Sequence, residues 1–216
     1  NPLKTNLILS ALNSGIKAAG GLYMLVAQAA FASRLFTGDE NVISKTDTVY
    51  KEILAGKQNI VLTGMPGSGK TTLGKRIAEK LNREFIDTDG LFEKTFKISI
   101  PEFFEKYGEE EFRKKETEII KPVCDRQSLV IATGGGVVTQ SINILLLKRN
   151  GKIFFIDKEL KFLQTGNGRP LTPDFEALQK KYNERLPLYI KSADKHLKLS
   201  DDLNSNLKIL LNSVKE

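Results

Sequence analysis

Two hydrophobic periods alternate along this chain. Short apolar runs stand at Asn59-Ile60-Val61-Leu62-Thr63, Arg83-Glu84-Phe85-Ile86-Asp87-Thr88-Asp89, Ser128-Leu129-Val130-Ile131-Ala132, Lys152-Ile153-Phe154-Phe155-Ile156-Asp157 and Lys195 to Leu199. Their length and β-branched content predict strands, the first and third buried on both faces. Between them apolar residues recur at helical spacing, as Leu73, Ile77 and Leu81 do after the first strand. Further helices are predicted over Ile100 to Tyr107, closed at Gly108, and over Glu109 to Val123, Thr139 to Leu147, Phe175 to Ile190 and Leu203 to Val214. Ser99 and Glu102 form a capping box for the first of these. Strands alternating with helices predict an α/β fold with a parallel sheet and helices on both faces.

The first 48 residues follow a different pattern. Leu7, Ile8, Leu12 and Ile16 suggest a short helix closed by glycines. Gly20-Gly21 then precedes Leu22 to Phe36, a helix apolar over most of its circumference. Such a helix must bury against something large, and residues 1–38 are too few to form a core of their own. They either pack on the next domain or belong to another one. Asp39 to Thr48 is polar without a sustained apolar period and reads as a linker. Val49 to Leu54 is a short helix leading into the first strand, so three parts are expected: 1–38, 39–48 and 49–216.

Composition narrows the classes. A chain of 216 residues holds one ordinary domain and an appendage. Its one cysteine, Cys124, excludes an intramolecular disulfide framework and a cysteine-based zinc site, and fits a reducing cytoplasm. Cys124 lies in a helical pattern and reads as a buried structural thiol; His196, without a neighbouring cysteine or histidine, also reads as structural. The net charge of +7 raises nucleic-acid binding, but the lysines are dispersed, with no basic run. A nucleotide and an acidic substrate also require positive charge, so no nucleic-acid partner is expected. No secretory signal is present, and Gly21 to Phe36 is too short to span a membrane and contains Gln28, Ser33 and Arg34. The chain opens on Asn1, consistent with a piece of a longer polypeptide.

The strongest chemical signal is Gly64-Met65-Pro66-Gly67-Ser68-Gly69-Lys70-Thr71, which fits the phosphate-loop pattern G-x-x-x-x-G-K-[ST] between a strand and a helix. Glycines at 64, 67 and 69 permit positive φ and close backbone approach. The loop amides and the helix N-terminus converge on an anion. Lys70 reaches the β- and γ-phosphates of ATP, and the Thr71 hydroxyl binds Mg²⁺; Pro66, Ser68 and Thr72 complete the expected nucleotide-binding stretch. Asp87 and Asp89, at the end of the second strand, alternate with Thr88 and can point to one side of an extended segment. An aspartate there also suits a turn or a helix cap. Arg113 and Glu116 share a helix face, so Glu116 can hold the Arg113 fork for a substrate carboxylate, although the same spacing describes a surface ion pair. Gly134-Gly135-Gly136 follows the third strand, where three glycines allow a ligand to approach the backbone. Gln164 to Leu171 breaks all periodicity and places Arg169 among glycines, as in a mobile lid.

Taken together, Asp87-Thr88-Asp89, Phe112-Arg113 with Glu116, Thr133 with Gly134-Gly135-Gly136, Arg169-Pro170-Leu171 and Arg185 with Pro187-Leu188-Tyr189 make the chain from about Asn59 resemble shikimate kinase, with every motif in family order. The resemblance implies a five-stranded sheet of order 2-3-1-4-5 and transfer of phosphate from ATP to shikimate, with Mg²⁺. It implies that Asp89 meets the shikimate hydroxyls and is the candidate base, and that Asp87 supports the Mg²⁺ shell. Arg113 and Arg185 grip the carboxylate, Glu116 orients Arg113, and Gly135, Gly136, Phe104 and Phe112 line the acceptor site. Arg169 comes onto the transferring phosphate. Where the family often has an arginine against adenine this chain has Gln164, and its lid is shorter, which puts nucleotide affinity and choice in question. Ahead of this domain, Asn1 to Thr5, Gly20-Gly21-Leu22-Tyr23-Met24-Leu25-Val26-Ala27-Gln28 and Leu35-Phe36-Thr37-Gly38 resemble the carboxyl end of shikimate dehydrogenase, with Met24 and Gln28 at the positions that line that family's site. An upstream dehydrogenase domain in the same polypeptide is the implied partner. Two other readings are a kinase for another small molecule, such as gluconate, and a degenerate kinase fold retained for binding. The Arg113-Glu116 and Arg185 set speaks against the former; intact Lys70, Thr71, Asp87, Asp89 and Arg169 speak against the latter.

Overall fold

The structure, a computed structural model, describes residues 2–163 and 175–215. Its five strands are β1 (Asn59–Thr63), β2 (Glu84–Asp87), β3 (Leu129–Ala132), β4 (Gly151–Lys158) and β5 (Lys195–Leu199). They form one parallel sheet of order β2-β3-β1-β4-β5, the order implied by the resemblance. β1 lies at the centre and is buried along its whole length. The period of two divides its side chains between two cores. Val61 joins Ile131, Ile153 and Phe155 on one face, and Ile60 and Leu62 join Val130, Phe154 and Ile156 on the other.

The described helices are α1 (Asn6–Asn13), α2 (Gly21–Thr37), α3 (Asn41–Ser44), α4 (Thr46–Lys57), α5 (Lys70–Leu81), α6 (Thr88–Phe96), α7 (Ile100–Cys124), α8 (Ser141–Asn150), α9 (Phe175–Ser192) and α10 (Leu203–Lys215). Leu73 and Ile77 of α5 pack with Leu207 and Leu210 of α10 beneath one face. α7, α8 and α9 supply Phe112, Ile120, Leu147, Leu178 and Tyr189 to the other. Gly108, at φ 79° and ψ 173°, interrupts α7 where the sequence predicts the break. Cys124 is buried, and burial pushes its thiol up to about 12, as suits an inert structural cysteine.

Two expectations for the N-terminal part change. Residues 39–48 are not an irregular linker, because α3 and the start of α4 lie within them. The polar residues that hid the period are end-group partners: the Asp39 carboxylate accepts the Asn41 N–H at 2.9 Å. The apolar helix α2 also finds only partial cover. Short α3 and α4 reach one side of it, and Val26 and Ala30 are buried there. Tyr23 meets Tyr50 edge-on at 5.2 Å and donates to Asp47. Leu35 and Phe36 remain 77% and 91% exposed, with Met24, Leu25 and Phe31 also exposed. Leu3 N–H donates to Asn150 Oδ1 and Lys4 N–H to the Arg149 carbonyl, which pins the start of the segment to the end of α8. No helix among the described residues is long and apolar enough to cross a membrane.

Candidate active site

The carboxyl ends of β1, β2 and β3 open into one cavity of about 320 Å³, the place where an open parallel sheet binds ligands. β1 leads into the phosphate loop. Gly64 has φ 148°, and a Cβ there would stand 2.4 Å from the Ile156 carbonyl oxygen, so β4 leaves room only for glycine. Gly69 takes φ 89° to turn the chain into α5. Lys70 heads that helix and is 8% exposed. Its Nζ donates to the Gly64 and Met65 carbonyls at 2.9 and 2.8 Å, which holds the ammonium over the loop. Gly67, Pro66 and Thr71 line the same cavity. Ser68 is buried in the loop, whereas Thr72 points to the exposed side of α5.

Asp87 and Asp89 are not neighbours on one extended segment. β2 ends at Asp87, and Asp89 already lies in the first turn of α6. Asp87 is the N-cap: its Oδ1 accepts the Asp89 N–H at 3.1 Å and the Gly90 N–H at 3.4 Å. A carboxylate immediately before the first helical residue captures these unpaired amides in preference to continuing the strand. Asp87 Oδ2 accepts the Thr71 hydroxyl at 2.6 Å. Both aspartates still line the cavity. Burial, then the Asp87 charge, raises Asp89 from 3.8 to about 6, while Lys70 and Arg113 oppose the rise.

The Arg113–Glu116 pair is buried, with side chains 8% and 3% exposed, which removes the surface ion-pair alternative. Arg113 Nη1 donates to Glu116 Oε2 at 2.9 Å. Nη2 donates to Glu109 Oε1 at 3.0 Å, a second holder that the i,i+4 spacing offered and that sequence reading missed. Arg113 Nε and Glu116 Oε1 are buried without a partner among the described residues. Buried polar groups left in this state in a cavity wall are suited to meeting a ligand.

The three glycines each yield space to a different group. A Cβ at Gly136 would stand 2.1 Å from Arg113 Nη2, and one at Gly134 would stand 2.5 Å from Asp89 Oδ1. The loop therefore brings the Asp89 carboxylate and the Arg113 guanidinium against bare backbone. Gly134 N–H donates to the buried Thr88 hydroxyl at 3.1 Å. Arg185, buried on α9, donates from Nη1 to the Gly135 carbonyl at 3.1 Å. Phe104 and Phe112 pack ring to ring at 4.6 Å and form the apolar wall. Glu93, one turn after Asp89 on α6, also lines the cavity; its i,i+4 spacing was the available signal. Gln164 and Arg169 lie outside the described residues. His196 bears out its structural reading: Nε2 lies 2.8 Å from Asp157 Oδ2, and the ring stacks on Phe155.

The oxygen donors of Thr71 and Asp87 meet at one point beside the phosphate loop. Hard oxygen ligands few in number fit a Mg²⁺ that takes the rest of its shell from water and phosphate. Among the described residues no group of three or more His, Cys, Asp or Glu side chains forms a metal cage.

A phosphate loop at the head of a 2-3-1-4-5 parallel sheet, with an acidic strand end and a buried arginine pair in the same cavity, defines a P-loop kinase of a small acidic molecule. Family comparison makes that particular. The shikimate kinase family model matches residues 66–214. The shikimate kinase of Caldicellulosiruptor saccharolyticus is 41% identical over 169 residues, 74% of this chain and 98% of the relative. Shikimate kinase 1 of Escherichia coli K12 is 36% identical over 169 residues, 74% of this chain and 96% of its own. The solved shikimate kinase of Acinetobacter baumannii in complex with shikimate superposes with a TM-score of 0.70 at 34% identity, covering 76% of this chain and 97% of that one. The chain belongs to the shikimate kinase family.

Proposed function

We propose that residues 49–216 transfer the γ-phosphoryl group of ATP to a hydroxyl of shikimate, giving ADP and 3-phosphoshikimate, a step of aromatic amino-acid biosynthesis. The carrying observation is that buried Arg113 and Arg185 line the same cavity as Lys70 and Asp89. This arrangement suits an acceptor with a carboxylate at one end and an alcohol at the other. The Arg113 fork, braced by Glu109 and Glu116, and Arg185 take the carboxylate. The ring of the acceptor lies between the Phe104–Phe112 wall and the backbone of Gly135 and Gly136. Asp89 accepts the alcohol proton as the new O–P bond forms and the bond to the β-phosphate oxygen breaks. Lys70 leaves its loop carbonyls for the β- and γ-phosphates, and Arg169 adds positive charge at the transferring group. Thr71 and Asp87 hold Mg²⁺, which neutralises phosphate charge when bound. Gln164 belongs to the nucleotide side. Exclusion of water then favours the acceptor alcohol over hydrolysis.

The deciding experiment is ADP release measured with shikimate, with gluconate and with no acceptor. Strong stimulation by shikimate alone is expected; release no faster with shikimate than without an acceptor overturns the assignment, and stimulation by gluconate moves it to another acceptor. Arg113→Lys is expected to raise the KM for shikimate about 10- to 100-fold, since one or more charge-assisted hydrogen bonds are lost, and to leave the KM for ATP near wild type. A rise confined to ATP would reverse the orientation. Asp89 acts as a base only when ionised, so kcat/KM for shikimate is expected to fall as pH drops through about 6. A flat profile from weakly acid to neutral pH would remove Asp89 from that role.

We also read residues 1–38 as the end of a shikimate dehydrogenase domain of the same polypeptide. The exposed apolar side chains of α2 support this, and a dinucleotide-binding fold encoded directly upstream is the test. A cytoplasmic location fits the buried, unpaired Cys124.

A further inference from the structure

We propose that Tyr189 is a positioning residue that ties the acceptor-side glycine loop to the phosphate loop, and so fixes the acceptor alcohol relative to the transferring phosphoryl group. Tyr189 is 0% exposed and lies on α9, one turn beyond Arg185. Its ring stacks on Phe155 of β4, with centroids 4.8 Å apart and planes 9° from parallel. Phe155 is backed on its own account by His196, which Asp157 holds. The ring is therefore packed on the sheet, while the hydroxyl is held separately by its own hydrogen bond. Its hydroxyl donates to the Gly135 carbonyl and lies 3.8 Å from Met65 Sδ. Gly135 in turn abuts the phosphate loop, where a Cβ would stand 2.6 Å from Pro66 Cδ. One buried hydroxyl thus meets both loops at their contact.

The Gly135 carbonyl also accepts from Arg185 Nη1. Arg185 is the group that a substrate carboxylate would engage, so its hold on the loop competes with its work. Tyr189 has no such competing demand, and burial raises the phenol, which keeps it a neutral donor. The Gly135–Gly136 peptide is trans, so its N–H points opposite to its C=O. Fixing the carbonyl fixes the Gly136 N–H. Neither the Gly135 nor the Gly136 N–H has a partner among the described residues, which leaves both as donors for the acceptor. A displacement of this peptide moves the acceptor against the phosphate, and misplacement of about 1 Å costs on the order of a hundredfold in rate.

The inference rests on the acceptor site proposed above. Tyr189→Phe keeps the stacked ring and removes the hydroxyl. Its kcat/KM for shikimate is expected to fall about 10- to 100-fold, with the KM for ATP and the melting temperature close to wild type. Phe155→Leu removes the stacking partner and keeps the hydroxyl. It is expected to melt at lower temperature yet to hold kcat/KM for shikimate within roughly threefold of wild type when assayed well below its melting point. Wild-type kinetics in Tyr189→Phe overturn the proposal, as does an equal kinetic loss in Phe155→Leu, which reduces Tyr189 to core packing. Arg113→Lys assayed alongside separates the two readings. If it leaves the shikimate KM unchanged, the acceptor site is misassigned; if it raises that KM while Tyr189→Phe is wild type, only the role of Tyr189 falls.

Discussion

Asp89→Asn is expected to lower kcat about a thousandfold, within the 10² to 10⁴ range of general-base catalysis, while making the folded protein more stable at neutral pH. The two effects have one origin. Asp89 sits at the head of α6 against Gly134, with the Asp87 carboxylate nearby, and its folded value of about 6 lies above the ordinary 3.8. A carboxyl whose folded value is raised binds its proton more tightly in the folded state. Its contribution to stability is present at low pH and is lost as pH rises from about 4 through about 6. At pH 7 the charged form therefore costs about 1–3 kcal/mol. Asparagine removes that cost together with the base. The expected result is a melting temperature higher by several degrees at pH 7, and a gain that vanishes near pH 4. Steady-state rates with thermal melts at both pH values check it. A variant that is inactive and also less stable at pH 7 would mean that Asp89 serves the fold rather than the proton.

Arg169→Ala is expected to slow phosphoryl transfer by about 10³-fold or more, by the arithmetic of arginines that meet a transferring phosphate. Among the described residues that line the cavity, the cations are Lys70, Arg113 and Arg185. Arg113 is already set against Glu109 and Glu116, and Arg185 lies at the Gly135 carbonyl. Only Lys70 stands at the phosphate loop, so the developing charge calls for a second cation there. In sequence, Arg169 falls between Leu163 and Leu178, both of which are buried. Single-turnover transfer rates should fall while the dissociation constants of ATP and shikimate change little. A wild-type single-turnover rate removes Arg169 from the reaction.

Much of this was readable before any coordinates. The five strands were legible because short runs rich in β-branched and aromatic residues, bounded by turn residues, are shorter than a helix needs. The phosphate loop was legible because its chemistry is local: glycine spacing, a lysine and a threonine at a strand–helix junction. Errors arose where a distant or end-group interaction overrides local pattern. Asp87-Thr88-Asp89 reads as extended, but the amides of the α6 N-terminus take the Asp87 carboxylate as a cap. Residues 39–48 read as linker because capping residues are polar. Glu109 went unassigned although its spacing to Arg113 was visible, since spacing alone does not tell a buried brace from a surface pair.

The sequence by itself determined the α/β class, the phosphate loop, the positions of the strands, and the residue types from which the acceptor site is built. Those depend on periodicity, on backbone freedom at glycine and on side-chain chemistry within a few residues. Tertiary structure alone decided that Arg113 and Glu116 are a buried pair, that Gly134 and Gly136 yield space to Asp89 and Arg113, and that the Tyr189 hydroxyl meets Gly135 beside Met65. The glycine and tyrosine contacts join elements far apart in the chain, and the Arg113–Glu116 pair, three residues apart on α7, is buried by packing against such elements; that packing follows from the strand order of the sheet, which no local pattern encodes.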